Sequence, residues 1–113
     1  MQKGNVMQFL LLAYDYNDDN ALVRRNDARS KHLENVKALK KQGRHLFGAA
    51  ILDEDGKMVG SLMIVDYPSR SDLEFEWLKN EPYIINDVWE KVTIKPCLVP
   101  DFFLTSVNQD EFS

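Results

Sequence analysis

Two predicted strands in this sequence are apolar on both faces, and this restricts the possible folds more than any other feature. Between positions 6 and 14 apolar residues occupy both even and odd positions, and 62–65 is a continuous apolar run. A strand with one face in water alternates apolar and polar residues, so both strands should be covered on both faces. The chain of 113 residues forms one domain. Helices then cover one face of the sheet, and we expect a second subunit to cover the other.

Turn residues, capping signals and helical periodicity predict the remaining elements. Gly43 and Gly56 mark the end of a long helix and a hairpin turn. The spacing of Ser71 and Glu74 predicts that Ser71 caps a second helix. The predicted order is strand 6–14, helix 21–43, strand 45–52, strand 58–66, helix from 71 to about 80, a short irregular or helical piece 83–88, and strand 89–95 closed by Pro96. This order predicts an α+β fold, a ferredoxin-like βαββαβ unit whose four-stranded antiparallel sheet carries helices on one face.

The sequence divides into a domain, 6–97, and a C-terminal extension, 98–113. The extension is too apolar for a free tail, since it contains Leu98, Val99, Phe102, Phe103 and Leu104. We expect it to pack on its own subunit, which is the interpretation we favour, or to cover a cleft or strand edge of a neighbouring subunit.

The long helix carries the most informative side chains of the sequence. Steps of three and four residues place six of them on one helical stripe: Arg25, Arg29, His32, Val36, Leu39 and Gly43. The apolar second half of the stripe should lie on the core, and the polar first half should emerge at the edge of the core and face a cleft. Two guanidinium groups beside an imidazole can hold an anion next to a proton-transfer group.

Two further basic residues are predicted to lie at the surface. Arg25 is expected to form a surface ion pair with an acid of the 15–19 loop, and His45, next to Arg44 at a strand start, is expected to be exposed.

Composition and charge exclude several classes of function. The net charge is -4, and the basic residues are scattered, so we predict no nucleic-acid partner. No apolar run is long enough to span a membrane, and the single cysteine, Cys97, suggests the cytoplasm. Two histidines without clustered cysteines or paired acids give no metal-site spacing, and the dispersed glycines form no phosphate loop. We therefore predict no metal and no cofactor.

Several short patterns occur in register with the predicted elements: Arg29-x-x-His32-Leu33, Gly43-Arg44-x-Leu46, Gly60-Ser61, Trp77 followed by Glu81-Pro82-Tyr83, and the run from Val88 to Pro96. Through these patterns the chain resembles the YciI-like (YCII-related) proteins, small bacterial α+β domains, over about residues 7–97. The resemblance implies a dimeric α+β barrel, in which the sheets of two ferredoxin-like units pack face to face in a homodimer. Most members lack a defined activity, although related proteins include a dehydrochlorinase that acts on an aromatic ring metabolite.

The resemblance also implies site residues. The family's site is placed around the helix histidine and the acid before the proline, which correspond to His32 and Glu81, with Arg29 and Ser61 nearby. The family usually has Asp-Pro where this chain has Glu81-Pro82, which moves the carboxylate by one methylene group. Family members often have glycine near the position of Asp87, and aspartate tolerates a left-handed conformation less easily than glycine does.

Two hypotheses follow. In the first, the protein is an enzyme of lyase or isomerase type without a cofactor. His32, oriented by Glu81, transfers a proton on a small anionic and planar metabolite. Arg29 holds the anion, Ser61 hydrogen-bonds a substrate oxygen, and Tyr83 stacks on the ring. In the second, the His32–Glu81 pair is structural, and the protein is a non-catalytic dimeric module that binds a ligand or another protein.

Overall fold

The computed structural model describes residues 7–104, so Val6 and the extension beyond Leu104 lie outside the described residues. The strands are β1 (Met7–Asp15), β2 (His45–Leu52), β3 (Met58–Tyr67) and β4 (Trp89–Cys97). The helices are α1 (Ala21–Lys41), α2 (Arg70–Glu76), α3 (Pro82–Ile85) and α4 (Asp101–Leu104), and a 3-10 turn spans Leu78–Asn80.

The four strands form one antiparallel sheet in the order β2-β3-β1-β4. The two strands that are apolar on both faces, β1 and β3, are the central ones, as the pattern requires. This confirms the predicted α+β fold with its ferredoxin-like βαββαβ unit. Gly43 and Gly56 have positive φ angles of 78° and 83°, which glycine adopts without steric cost, at the end of α1 and in the hairpin turn.

Two predicted boundaries are wrong. Strand β4 continues through Pro96 to Cys97. It is an edge strand, and such a strand tolerates proline because a backbone N–H on its outer side has no neighbouring strand to bond. Helix α2 is capped by Ser69 and not by Ser71: the hydroxyl of Ser69 accepts a hydrogen bond from the Asp72 amide at 3.1 Å. The cap spacing is the predicted one, displaced by two residues.

The side chains of one sheet face form the core together with the helices. Its buried apolar residues are Phe9, Leu11, Ala13, Met63, Val65 and Tyr67 from the sheet, and Leu73, Trp77, Tyr83 and Val88 from the segments above it. The opposite face, which we call the open face, contains Leu10, Leu12, Leu62 and Ile64, all half-buried, and Phe47, which is 59% exposed. The open face is thus apolar, but a single chain does not bury it.

The α1 stripe lies as predicted in its second half, where Val36 and Leu39 pack against the core, and two residues of its first half are buried more deeply than predicted. Arg25 and His32, in the polar half, are buried, whereas Val36 and Leu39 are half-buried. Buried charges require partners, and acids in β1 and before α3 provide them here. Within the part of the chain that the structure describes, no helix is both long enough and apolar enough to cross a membrane.

Candidate functional site

His32 and Glu81 form a buried pair between α1 and the segment that precedes α3. The His32 Nδ1 lies 2.6 Å from Oε2 of Glu81, whose side chain is completely buried, while His32 is 7% exposed. The two residues are 49 positions apart, so the fold itself creates this contact. A charge-assisted hydrogen bond of this length is a strong interaction that fixes the orientation of the imidazole.

Glu81 is held by donors on both oxygens. The Trp77 indole N–H donates to Oε1 at 2.8 Å, and the Tyr83 backbone N–H donates to Oε2 at 3.0 Å. The second bond makes Glu81 the N-cap of α3, with Pro82 at the first helical position, where its missing N–H costs nothing. As Glu81 accepts at both oxygens, the hydrogen-bond network assigns a proton to His32 Nδ1. In the neutral form of this tautomer, Nε2 is an acceptor.

Tyr83 lies between two side chains of α1. Its ring stacks on the His32 imidazole with a centroid distance of 4.0 Å and an interplanar angle of 12°, and the Arg25 guanidinium lies over the ring at 4.7 Å. His32 and Arg25 are seven residues, or about 10.5 Å, apart along the helix, so a ring that contacts both lies between them. Burial raises the pKa of the Tyr83 hydroxyl above its usual value, although Arg25 and Arg29 oppose this.

Arg25 forms a buried ion pair, so its predicted surface location is wrong, although the partner does come from the predicted group of acids. One guanidinium nitrogen donates to both oxygens of Asp15 at 2.9 and 3.0 Å, and the other donates to Ser61 Oγ at 2.9 Å. Burial raises the pKa of the Asp15 carboxyl despite the opposing effect of Arg25. The exposed pair at this end of α1 is Arg24–Asp18.

Ser61 is fully engaged in this network. Its Oγ accepts hydrogen bonds from Arg25 and from the Trp89 indole N–H, the latter at 3.0 Å, and the residue is 3% exposed. Ser61 therefore lies behind Arg25 and does not line the adjacent cavity.

A cavity of about 140 Å³ lies in front of His32, between α1 and β2. Its lining residues are Arg25, Arg29, His32, Leu33, Gly48, Ala49, Ala50 and Tyr83. Three of the predicted site residues, His32, Arg29 and Tyr83, thus share one cavity, with Glu81 behind His32. Within residues 7–104, His32 Nε2 makes no hydrogen bond, and Arg29 makes neither a hydrogen bond nor an ion pair.

Two residues near the site were missed. His45 was predicted to be exposed, but it is 3% exposed and packs edge-on against Trp77 at a centroid distance of 4.5 Å. Gly48 and Ala50 are on the helix-facing side of the sheet, so regular alternation would place His45 on the opposite face. A β-bulge between His45 and Phe47 shifts the register and turns the histidine inward. Burial lowers the pKa of His45 to about 4. Trp77 lies in the core, but its role as the donor that holds Glu81 was not predicted. A buried indole N–H needs an acceptor, and that rule could have suggested Glu81.

The fold and the site define a class of protein: a ferredoxin-like α+β domain in which a buried carboxylate orients a histidine at a cavity. Residues 7–98 match the model of the YCII-related domain. The chain therefore belongs to the YCII-related family, as the sequence resemblance predicted.

The solved structure of an enzyme has the same fold. The 5-chloro-2-hydroxyhydroquinone dehydrochlorinase of Burkholderia phenoliruptrix, determined in complex with 2,5-dihydroxybenzoquinone, is 21% identical, with a TM-score of 0.70 over 85% of this chain and 98% of that one. A dimeric ferredoxin-like protein from an uncultured marine organism is 20% identical, with a TM-score of 0.48 over 83% of this chain and 94% of that one. A search of curated proteins finds no match.

Proposed function

We propose that this protein is a general acid/base enzyme of lyase or isomerase type, acting without a cofactor on a small anionic, planar metabolite. The observation that carries the proposal is the asymmetry of His32. Its Nδ1 is bound to the buried Glu81 at 2.6 Å, whereas its Nε2 makes no hydrogen bond with the described residues. An imidazole held in this way, in the wall of a cavity, is arranged to exchange a proton at Nε2.

In the proposed reaction the neutral His32 acts first as a base. Nε2 takes a proton from an acidic C–H or O–H of the substrate, and the electron pair of that bond moves into the conjugated substrate. Glu81 stabilises the imidazolium that forms. The same proton then returns to another atom of the substrate, which gives isomerisation, or to a leaving group that departs with its bonding electrons, which gives elimination.

Arg29 is proposed to bind the substrate anion. The Arg25 charge is compensated by Asp15 at 2.9 Å, whereas Arg29 has no ion-pair partner within residues 7–104. The cavity therefore has one uncompensated positive charge, which favours an anionic ligand. Tyr83 lines the same cavity, but His32 and Arg25 cover the faces of its ring, so in this proposal it positions these two side chains and does not stack on the substrate. In this proposal Ser61 acts through Arg25, whose guanidinium it binds.

The fold is compatible with such chemistry, since a dehydrochlorinase has it. The single cysteine is consistent with a cytoplasmic location, which we include in the proposal.

Hydrogen–deuterium exchange into candidate substrates tests the proton transfer without requiring the natural substrate. A panel of phenolates and ring carboxylates with acidic C–H positions is incubated with the full chain in D2O, and exchange is followed by NMR. We expect at least one compound to exchange faster with the protein, and His32→Gln to abolish this effect while the circular dichroism spectrum is unchanged. Exchange that persists in His32→Gln would exclude His32 as the base, and absence of exchange across the panel would favour the second candidate.

We also propose that the protein is a homodimer whose sheets pack through their open faces. The support is the half-buried apolar side chains of that face together with Phe47, which is 59% exposed. Phe47→Asp should give a monomer in light scattering. Phe75→Asp is the matched control, because Phe75 is 68% exposed but belongs to α2 on the helical side. If both variants keep the mass of a dimer, the open face is not the interface.

The second candidate function is a non-catalytic dimeric module that binds a ligand or a protein. An apolar groove of about 390 Å³ favours it, formed between the open face and the extension by Leu46, Phe47, Ile64, Val99, Phe103 and Leu104. This hypothesis predicts that His32→Ala lowers the free energy of unfolding without affecting any exchange reaction, and that deleting residues 98–113 loosens the dimer or removes a partner. A deletion that changes neither association nor stability would exclude a role for the extension.

A further inference from the structure

The wall of the cavity that faces His32 is made of small residues of β2. Gly48 pairs with Met63 and Ala50 pairs with Ser61, and these two partners belong to the helix-facing side of the sheet. Gly48 and Ala50 thus point toward α1, but both are exposed because no side chain fills the space between them and the helix. This space is the cavity.

The fold does not require glycine at position 48. A Cβ there would lie 3.8 Å from the Leu62 carbonyl oxygen and from the Met63 side chain, which is ordinary van der Waals contact. The φ angle of Gly48 is also outside the left-handed region, unlike those of Gly43 and Gly56. In a strand, glycine is less favourable than a β-branched residue. A side chain at position 48 would be tolerated by the backbone, and it would instead occupy the cavity.

Two polar side chains of α1, Arg25 and His32, line the same space. Arg25 is 2% exposed, and Asp15 and Ser61 hold its guanidinium. His32 is 7% exposed and presents the unbonded Nε2 described above. An unbonded imidazole nitrogen in the wall of a cavity can form a hydrogen bond with a polar ligand.

The volume of the cavity limits the ligand. A protein cavity of about 150 Å³ accepts a benzene molecule, and the cavity measures about 140 Å³. Its volume therefore matches one six-membered ring, and a second fused ring would extend beyond it. The uncompensated charge of Arg29, which lines the cavity, favours a ring that carries an anionic group.

We propose that Gly48 and Ala50 are specificity-determining residues that restrict the ligand to a single anionic ring. This inference rests on the proposed function for the location of the site, and it adds which residues select the substrate and by what physical means. Gly48 contributes no side chain to the cavity wall, and Ala50, which pairs with Ser61, contributes only a methyl group.

Binding of three carboxylates to the full chain, followed by amide NMR shifts, tests the inference. Acetate carries the anion without a ring, benzoate adds one ring, and 2-naphthoate adds two fused rings. We expect benzoate to bind with shifts at the amides of Gly48 and His32, acetate to bind more weakly, and 2-naphthoate not to bind in the cavity.

Substitutions at β2 provide the matched comparison. Gly48→Val and Ala50→Val should raise the dissociation constant of benzoate by about tenfold or more, an effect of about 1.4 kcal/mol. Gly48→Ala should have an intermediate effect. Ala38→Val is the control, because it makes the same change at an exposed α1 residue that does not line the cavity. Unfolding midpoints of the three β2 variants should match or exceed that of the wild type, which separates loss of binding from loss of fold.

Three results would overturn the inference: 2-naphthoate binding as tightly as benzoate, undiminished benzoate binding in both Gly48→Val and Ala50→Val, or no benzoate binding in the cavity of the wild type. These results are distinct from failure of the proposed function. Selective binding of benzoate without His32-dependent exchange would support the selectivity of the cavity and contradict the proposed enzyme function. Equally fast exchange on one-ring and two-ring substrates would support the enzyme function and contradict the selectivity.

Discussion

The two histidines of the chain are both buried, but their surroundings differ. His32 contacts the carboxylate of Glu81 at 2.6 Å, and its other side faces a cavity. His45 has no carboxylate bonded to either ring nitrogen within residues 7–104: its Nδ1 has no hydrogen-bond partner, and its Nε2 is 3.4 Å from the Tyr67 hydroxyl. Two imidazoles of similar burial are thus placed in opposite electrostatic environments.

This difference shows what a buried histidine needs in order to exchange protons. A proton added to His45 would create a buried charge without a bonded counter-charge, and this cost lowers its pKa to about 4. A proton added to His32 would face a carboxylate that is itself fixed by Trp77 and Tyr83. Burial without a bonded carboxylate therefore keeps His45 neutral near pH 7. His32 is similarly buried, but Glu81 is a partner for its charged form.

The largest expected effect is that of removing the carboxylate. Glu81→Ala leaves the Trp77 N–H, the Tyr83 backbone N–H and His32 Nδ1 without an acceptor in a buried site. We expect the free energy of unfolding to fall by about 3–5 kcal/mol, as when one partner of a buried pair is lost. Glu81→Gln keeps an acceptor oxygen and should cost about half as much.

Urea titration at pH 7 measures both variants. His45→Ala is the comparison, since it truncates the histidine that has no bonded carboxylate. If Glu81→Ala costs no more than His45→Ala, the two environments are energetically alike, and the contrast between the histidines would be wrong.

The pH dependence of stability tests the other side of the comparison. The folded-state pKa of His45, about 4, lies below the usual value of 6.5, so the unfolded chain binds the proton first as the pH falls. The contribution of the neutral His45 to the free energy of unfolding is therefore complete above pH 6.5, and it is lost as the pH falls from 6.5 to about 4. Its size is up to about 3 kcal/mol, from about 1.4 kcal/mol for each pH unit.

The check is a series of urea titrations between pH 7 and pH 4 on the wild type and on His45→Phe. The variant cannot titrate at this position, so its stability should fall less over that interval. Identical slopes in the two proteins would show that His45 takes up its proton in the folded state as readily as in the unfolded state.

Much of the fold could be predicted because the sequence pattern reports directly on burial. The apolar strands 6–14 and 58–66 were placed correctly as elements, and they form the two central strands. The His32–Glu81 contact is different. No periodicity links residues 49 positions apart, so the pairing came from the family resemblance alone. Local physics specified the two elements, and the packing of α3 on α1 brought them together.

The errors at His45 and Arg25 have different physical causes. The bulge near His45 moves one side chain to the opposite face, which strict alternation cannot anticipate. Arg25 was expected at the surface because charged residues usually lie there. Its burial depends on Asp15 and Ser61, which only the folded sheet places at hydrogen-bond distance.

Trp77 provides the smallest effect and the most specific test, because it contacts both histidine environments. Its indole N–H donates to Glu81 Oε1 at 2.8 Å, and its ring packs edge-on against His45 at 4.5 Å. Trp77→Phe preserves an aromatic ring but removes the donor, so we expect a loss of about 2 kcal/mol, typical of a hydrogen bond to a charged group.

Tyr67→Phe is the matched control for this substitution. Tyr67 is also buried beside His45, but its hydroxyl is 3.4 Å from His45 Nε2, which is too far for a strong hydrogen bond. Within residues 7–104, it makes no hydrogen bond to Glu81. It should cost less than about 1 kcal/mol. If Trp77→Phe and Tyr67→Phe cost the same in urea unfolding, the Trp77–Glu81 bond does not stabilise the carboxylate. The orientation of His32 would then depend on the Tyr83 backbone amide and on the buried contact with Glu81 alone.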